Sequence, residues 1–209
     1  MGTTGDPLTV VVFDLDGTLV DTGADIAAAV NRVRGDYGLE PLPEDRIVGL
    51  TGLGATALME RALDGAGDVR EATERYVAYY AERPAEHAVA FADAPDALAE
   101  LQRRGVALAV CTNKRGALAR AVLTATGLDR YIGAVVAADD VERHKPDPEH
   151  LFAALRAVGG SPATALYVGD NEVDVETARA AGVRCAIVAW GRAAGDGTPV
   201  LRRFAELLG

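Results

Sequence analysis

Val10-Val11-Val12-Phe13-Asp14-Leu15-Asp16-Gly17-Thr18 decides how the rest of the chain is read. Four apolar, mostly β-branched residues predict a strand buried on both faces, as strands of parallel sheets are. The run stops abruptly in two acids, a glycine and a threonine. Open α/β sheets bind ligands just beyond the carboxyl ends of their strands. Asp14 and Asp16, with the amides and hydroxyl of the Gly17-Thr18 turn, there suit a divalent cation and a phosphate. Asp and Gly are also ordinary turn residues, so a strand ending in a plain polar turn stands beside that reading.

Outward from this strand, residues 1–7 (MGTTGDP) read as a short polar lead. On the other side, residues 18–21 leave the sheet and the strand pattern vanishes until about residue 90. Thr22 or Asp25 is placed to cap a helix whose stripe is Ile26, Val30, Val33 and Tyr37, ended by Gly38. Further helices are predicted through Ile47 and Val48, over 55–63, and over a face of Val69, Thr73, Tyr76, Val77 and Tyr80. From Pro95 onward helices alternate with strands at 106–111, 133–137, 165–168 and 184–189, before a terminal helix over 200–208. Such alternation predicts an α/β fold, a doubly wound parallel sheet. Residues 1–20 and 91–209 form its core domain, and 21–90 an inserted all-helical cap.

Composition narrows the function. The 209 residues carry a net charge of −10, with a pI near 4.8, which argues against nucleic acid or an anionic membrane as partner. An anionic small substrate stays open, because a metal reverses a local field. No apolar run approaches about 18 residues, and no basic stretch precedes an apolar one near the start, so a cytoplasmic protein is expected. Cys111 and Cys185 sit in separate apolar runs and read as reduced core residues. With His87, His144 and His150 scattered, they make no zinc set. Ser161, the sole serine, lies in no nucleophile motif.

The residues that follow each predicted strand carry the chemistry. Asp14 and Asp16 follow the first, Thr112-Asn113-Lys114 the second, His144-Lys145-Pro146-Asp147-Pro148 the third, and Gly169-Asp170-Asn171 with Asp174 the fourth. All lie at one edge of a parallel sheet, and four complementary strand ends make a site. Each also has a plainer reading. Thr112 and Asn113 are good helix caps, Lys145 is a solvated loop lysine, and Asp170 and Asp174 complement a helix dipole. His144 and His150 read as surface residues, and Lys114 is left undecided.

Asp14-Leu15-Asp16-Gly17-Thr18, Thr112-Asn113, Lys145-Pro146 and Gly169-Asp170 with Asp174 resemble, in order, the four motifs of the haloacid dehalogenase-like hydrolase superfamily. Residues 54–63 (GATALMERAL), 139–148 (DDVERHKPDP) and 178–182 (ARAAG) are similar to its phosphoglycolate phosphatase branch. The resemblance implies a Mg²⁺-dependent phosphatase of a small phosphate monoester, with 2-phosphoglycolate the first substrate to try. A phosphatase of a sugar or secondary-metabolite phosphate, or a β-phosphoglucomutase-like mutase, is the alternative. In that scheme Asp14 is the nucleophile and forms an aspartyl phosphate, and Asp16 is the acid and base. Thr112, Asn113 and Lys145, with the Gly17-Thr18 turn, hold phosphate. Asp14, Asp16 and Asp170 bind the metal, which Asp174 supports, and the helical insert closes over the substrate. Arg46, Arg61 and Arg192 are candidates to meet a substrate carboxylate. Two places depart from the branch: Asp93-Ala94 where it often has Pro-Gly, and the loop from Trp190 to Gly195, which keeps only part of the usual glycine pattern. The sequence leaves monomer or homodimer open.

Overall fold

A computed structural model describes residues 8–193 and 197–209; the polar lead at 1–7 and Gly195 lie outside the described residues. Strand β1 (Val10–Phe13) leads into a two-residue strand β2 (Val20–Asp21). Helices α1 (Gly23–Asp36), α2 (Glu44–Val48), α3 (Ala55–Leu63) and α4 (Val69–Glu82) follow, then β3 (Val89–Ala90). The chain then alternates through α5 (Ala94–Arg103), β4 (Ala107–Cys111), α6 (Gly116–Ala125), β5 (Ala134–Val136), α7 (Pro148–Ala157) and β6 (Ala165–Gly169). It ends with α8 (Glu172–Ala181), β7 (Arg184–Val188), β8 (Val200–Leu201) and a 3₁₀ turn over Phe204–Leu208.

Six strands form one sheet in the order β5-β4-β1-β6-β7-β8, every adjacent pair parallel. β1 takes an inner place because both its faces are apolar. Val11 and Phe13 pack into the layer that holds Leu98, Leu101, Val122 and Phe204, whereas Val10 and Val12 face Leu151, Leu155 and Ala178. This period-2 division buries the strand between helices on either side. Register then does the positioning. Phe13 pairs with Val110 and with Val168, so Asp14 emerges level with the ends of β4 and β6.

Helices α1–α4 enclose a separate apolar cluster of Ile26, Val30, Val33, Met59, Tyr76 and Tyr80, joined by Leu118 from α6. They are tied to the sheet at the root. β2 and β3 pair antiparallel, with Val20 opposite Ala90, where the chain leaves and returns. Thr22 does stand at the start of α1, but its hydroxyl donates to Asp16 Oδ1 (2.7 Å) and does not cap the helix. Asp25 is used the same way: both its oxygens accept from the backbone N–H of His87 (3.0 and 3.2 Å). Of these groups expected to serve their own helix, Thr22 fastens the insert to the sheet and Asp25 fastens α1 to the insert's returning segment.

The terminal helix expected over 200–208 is not what forms. Val200 and Leu201 extend the sheet beside Ile187 and Val188, and only a 3₁₀ turn follows. Ile187 N–H donates to Pro199 O and Ala189 N–H to Leu201 O, both at 2.8 Å. A β-branched residue just after a proline suits such an edge strand better than a helix start. Among the described residues no helix is long and apolar enough to cross a membrane.

Candidate active site

Asp14, Thr112, Lys145, Asp170 and Asp174 come together at the carboxyl edge of the sheet, each at most 5% exposed. One carboxylate oxygen from each of Asp14, Asp170 and Asp174 lies within 4.8 Å of the others. Like charges that close oppose one another unless something cationic stands between them.

Lys145 is the buried cation. Its Nζ lies 2.8 Å from Asp174 Oδ1 and 3.0 Å from Asp14 Oδ1, and it donates to the Tyr167 hydroxyl at 2.9 Å. Burial works against the ammonium, but Asp14 and Asp174 together outweigh it and hold its pKa above the ordinary lysine value. Asp174 is saturated. Oδ1 accepts from Lys145 and from the Tyr167 hydroxyl (2.9 Å), and Oδ2 accepts from the N–H groups of Asp170 (3.0 Å) and Asn171 (3.2 Å). Gly169 permits this approach: a Cβ there would fall 2.3 Å from Asp174 Cγ.

Asp14 is the opposite case. Its Oδ1 has no partner in hydrogen-bonding geometry, since Lys145 approaches within ion-pair distance but off the bonding direction. Burial, with Asp174, Asp170 and Asp16 nearby and Lys145 only partly offsetting them, pushes its pKa from 3.8 up to about 7. Asp170 rises to about 6, first from burial and then from Asp174, although Arg192 and Lys145 pull it down. A buried set of carboxylate oxygens holding protons for want of positive charge fits a hard, oxygen-seeking divalent cation such as Mg²⁺. Asp14 and Asp170 keep lone pairs for it, while Asp174 has none unshared with the protein.

Asp16 turns away from this cluster. Oδ1 accepts from Thr22 Oγ1 and from Lys114 Nζ (2.9 Å), and Oδ2 lies 3.1 Å from the same ammonium. Lys114, undecided from sequence, also donates to the Tyr80 hydroxyl (2.9 Å) and lies 4.2 Å from that ring's centroid. Thr112 and Asn113 do not cap α6, whose first N–H donates to Asp139 Oδ1 instead (2.7 Å). Asn113 Nδ2 bridges Gly52 O and Lys145 O, both at 2.9 Å, and its Oδ1 is left without a partner.

The glycine-threonine turn differs from expectation. The N–H of Gly17 donates to Val20 O (2.9 Å) and that of Thr18 to Leu15 O (3.2 Å), so neither amide is available to a ligand. Thr18 Oγ1 is buried and unpartnered. Among the described residues the amides of Leu15, Asp16 and Asn113 make no hydrogen bond, and they are the donors nearest Asp14 and Thr112 in the chain. Gly17 has another use. It adopts φ +81°, and a Cβ would meet Asp170 Oδ2 at 2.9 Å.

Three supporting residues escaped the sequence reading. His150 is fully buried, not at the surface. Its Nδ1 accepts from Lys145 N–H (3.2 Å) and its Nε2–H meets Val136 O (3.1 Å), which fixes the lysine loop. Tyr167, in mid-strand, reads as core; a buried tyrosine in an aliphatic strand signals a partner for its hydroxyl. Trp190 Nε1 donates to Gly17 O (3.0 Å) and pins the turn. Of the arginines offered for a substrate carboxylate, Arg46 and Arg61 are exposed and do not line the cleft. Arg192 is engaged with Val48 O, Thr51 Oγ1 (3.0 Å) and Asp170 Oδ2 (3.3 Å).

Above the cluster lies a cleft between sheet and helical insert. Asp14, Thr112 and Lys145 form its floor, and Ile26, Leu58 and Val77 part of its roof.

Comparison with known proteins accords with this geometry. Residues 11–188 match the family model described as haloacid dehalogenase-like hydrolase. The chain is 39% identical over 204 residues to a phosphoglycolate phosphatase of Cupriavidus necator, covering 95% of this chain and 88% of that protein. It is also 39% identical to a phosphoglycolate phosphatase of Caulobacter vibrioides, over 87% of this chain and 79% of the relative. Among solved structures, a predicted phosphoglycolate phosphatase from Haemophilus somnus superposes with a TM-score of 0.88 at 26% identity, covering 96% of each chain. CbbY from Rhodobacter sphaeroides, solved in complex with phosphate, gives 0.78 at 26% identity, again over 96% of each. A parallel sheet that gathers these acids and one lysine at its edge, matched over this length, belongs to the haloacid dehalogenase-like hydrolase superfamily, in its phosphoglycolate phosphatase-like branch.

Proposed function

We propose that this phosphoric monoester hydrolase acts on 2-phosphoglycolate, with Asp14 as nucleophile. One observation carries the reading: Asp14 is buried against Lys145, yet keeps a carboxylate oxygen that accepts no hydrogen bond at the floor of the cleft. A group at that depth with no bond of its own is costly to the fold, which is how a functional atom is retained.

The chain's own residues supply the steps. An oxygen of Asp14 attacks phosphorus and the bond to the ester oxygen breaks, giving an aspartyl phosphate. Asp16, at the rim, gives its proton to the leaving alkoxide. It then takes a proton from water, which attacks the same phosphorus and releases the Asp14 carboxylate. Splitting the displacement in two avoids one difficult step. Thr112, Asn113 and the hydroxyl of Thr18 hold phosphoryl oxygens, and Lys145 offsets charge between Asp14 and the phosphoryl group. Asp14, Asp170 and the Asp16 carbonyl would hold Mg²⁺, which when bound would supply the positive charge that lets an anionic nucleophile meet an anionic ester. Asp174 positions Lys145 and the Asp170 backbone. Residues 1–20 and 91–209 are the core domain and 21–90 the cap; the separate apolar cluster of the insert and its two-strand root support that division. Cys111 and Cys185 are not joined in a disulfide, which accords with a cytoplasmic location.

The test is kcat/KM across phosphate monoesters, with free phosphate counted against substrate consumed. The highest value is expected for 2-phosphoglycolate, with one phosphate released per ester and dependence on Mg²⁺. A sugar phosphate ranking first would overturn the substrate, and formation of a sugar bisphosphate without phosphate release would make the chain a mutase.

A further inference from the structure

The reaction assigns no part to Lys114, yet this lysine is as enclosed as the residues it does use. Its side chain is 5% exposed and lines the cleft beside Asp16. We propose that Lys114 is the specificity-determining residue that binds the carboxylate of the leaving group. The inference rests on the 2-phosphoglycolate reading and names the group that recognises it.

Geometry places the two together. Lys114 Nζ stands 2.9 and 3.1 Å from the oxygens of Asp16, the residue that meets the ester oxygen. In 2-phosphoglycolate a single methylene separates that oxygen from the carboxylate carbon. A substrate with its ester oxygen at Asp16 therefore brings its carboxylate into the neighbourhood of this ammonium. The surrounding wall is apolar: Ile26, Leu58, Tyr76, Val77 and Leu118. A carboxylate carried among such side chains loses its water, and the cost is met only by a paired cation.

The other cations are placed elsewhere. Lys145 is held between Asp14 and Asp174. Arg192 is fastened to Val48, Thr51 and Asp170. Arg115 lines the cleft but is exposed, where a guanidinium keeps its hydration. Among the cations of the described residues, Lys114 alone combines burial with a position next to the acid. Its three N–H donors now go to the two oxygens of Asp16 and to the Tyr80 hydroxyl; an incoming carboxylate takes over the longer bond, to Asp16 Oδ2, while Oδ1 and the Tyr80 hydroxyl and ring, brought in by the cap, hold the ammonium in place.

The experiment compares 2-phosphoglycolate with 2-hydroxyethyl phosphate, which carries a hydroxymethyl group in place of the carboxylate. The kcat/KM ratio of the two esters is read for wild type, Lys114→Met, Lys114→Arg and Arg115→Met. A residue that only positions Asp16 slows both esters alike and leaves the ratio unchanged. Lys114→Met is expected to reduce the preference for the carboxylate ester at least about tenfold, the scale of one lost charged hydrogen bond. Lys114→Arg, which keeps the charge, is expected to retain most of it. Should Lys114→Met fold poorly, Lys114→Arg and Arg115→Met still decide: loss of preference in Arg115→Met with retention in Lys114→Arg moves the carboxylate to Arg115 and overturns the proposal. An unaltered ratio in Lys114→Met overturns it as well, leaving 2-phosphoglycolate as substrate. A wild-type ratio near one removes the substrate reading first, and this inference with it.

Discussion

Two neighbouring sets of buried polar groups at the sheet edge, one centred on Asp174 and one on Asp14, are treated in opposite ways. Around Asp174, the residues Lys145, Tyr167 and His150 make hydrogen bonds in which both oxygens of the carboxylate and both nitrogens of the imidazole have partners. Around Asp14, by contrast, Asp14 Oδ1, Thr18 Oγ1 and Asn113 Oδ1 are just as buried and make no hydrogen bond. Folding alone favours pairing all of them, since an unpartnered buried polar atom costs about 1–3 kcal/mol. The saturated layer fixes where the lysine and the metal-side backbone stand. The unsaturated layer is what that rigidity makes possible, and it marks where phosphate and cation go.

The sharpest way to break the contrast is at its least satisfied atom. Asp14→Asn keeps the shape and removes the nucleophile, so kcat is expected to fall by at least ~10⁴. Stability should move the other way. The unfolded chain gives up the Asp14 proton near pH 4, whereas the folded, metal-free chain holds it until about pH 7, chiefly because of burial. Wild type therefore loses stability as pH rises across that interval, with the sign set by the folded state binding more protons. Melting curves without metal should show wild type losing stability between pH 5 and pH 8 and Asp14→Asn losing less. A variant that melted lower than wild type at pH 8 would mean that Asp14 is a structural carboxylate.

Breaking the saturated layer should do what breaking the unsaturated one does not. Asp174→Ala strands the Lys145 ammonium's better partner site, the Tyr167 hydroxyl and two backbone N–H groups in a dry interior. Removing one partner of a buried ion pair costs about 3–5 kcal/mol, so Tm is expected to drop by roughly 10 °C for a chain of this size. An equal loss of stability in Asp14→Asn and Asp174→Ala would erase the distinction between the two layers.

Much of this arrangement was legible before any coordinates. Asp14, Thr112, Lys145 and Asp170 each follow a strand, and parallel strands in register bring such residues to one edge. What was hidden depends on reach across layers. His150 sits in the first turn of α7, where helices meet solvent as often as core, and its burial is set by Val136 on another strand. Tyr167 points a hydroxyl across the sheet end at a residue seven positions on. The strands β2, β3 and β8 are two residues each, too short to show a period. Thr22 and Asp25 looked like caps because short polar side chains near a helix start usually are; here tertiary partners outbid the local ones.

The mildest probe is His150, which sharpens the contrast without destroying either layer. The imidazole must be neutral, because its Nδ1 accepts the Lys145 N–H while its Nε2–H faces Val136 O. Burial, with the Lys145 ammonium close by, lowers its pKa to about 4 despite the Val136 bond. Between about pH 6.5 and pH 4 the unfolded chain takes up a proton that the folded chain refuses, so acid weakens the fold over that window. His150→Gln offers an acceptor and a donor in similar places and no proton site. It is expected to keep activity within several-fold at pH 7, and to lose less stability than wild type when acidified from pH 7 to pH 4.5. Equal acid sensitivity in the two proteins would place the proton elsewhere, and a collapse of activity at pH 7 would show that the loop needs the imidazole's own shape as well as its two hydrogen bonds.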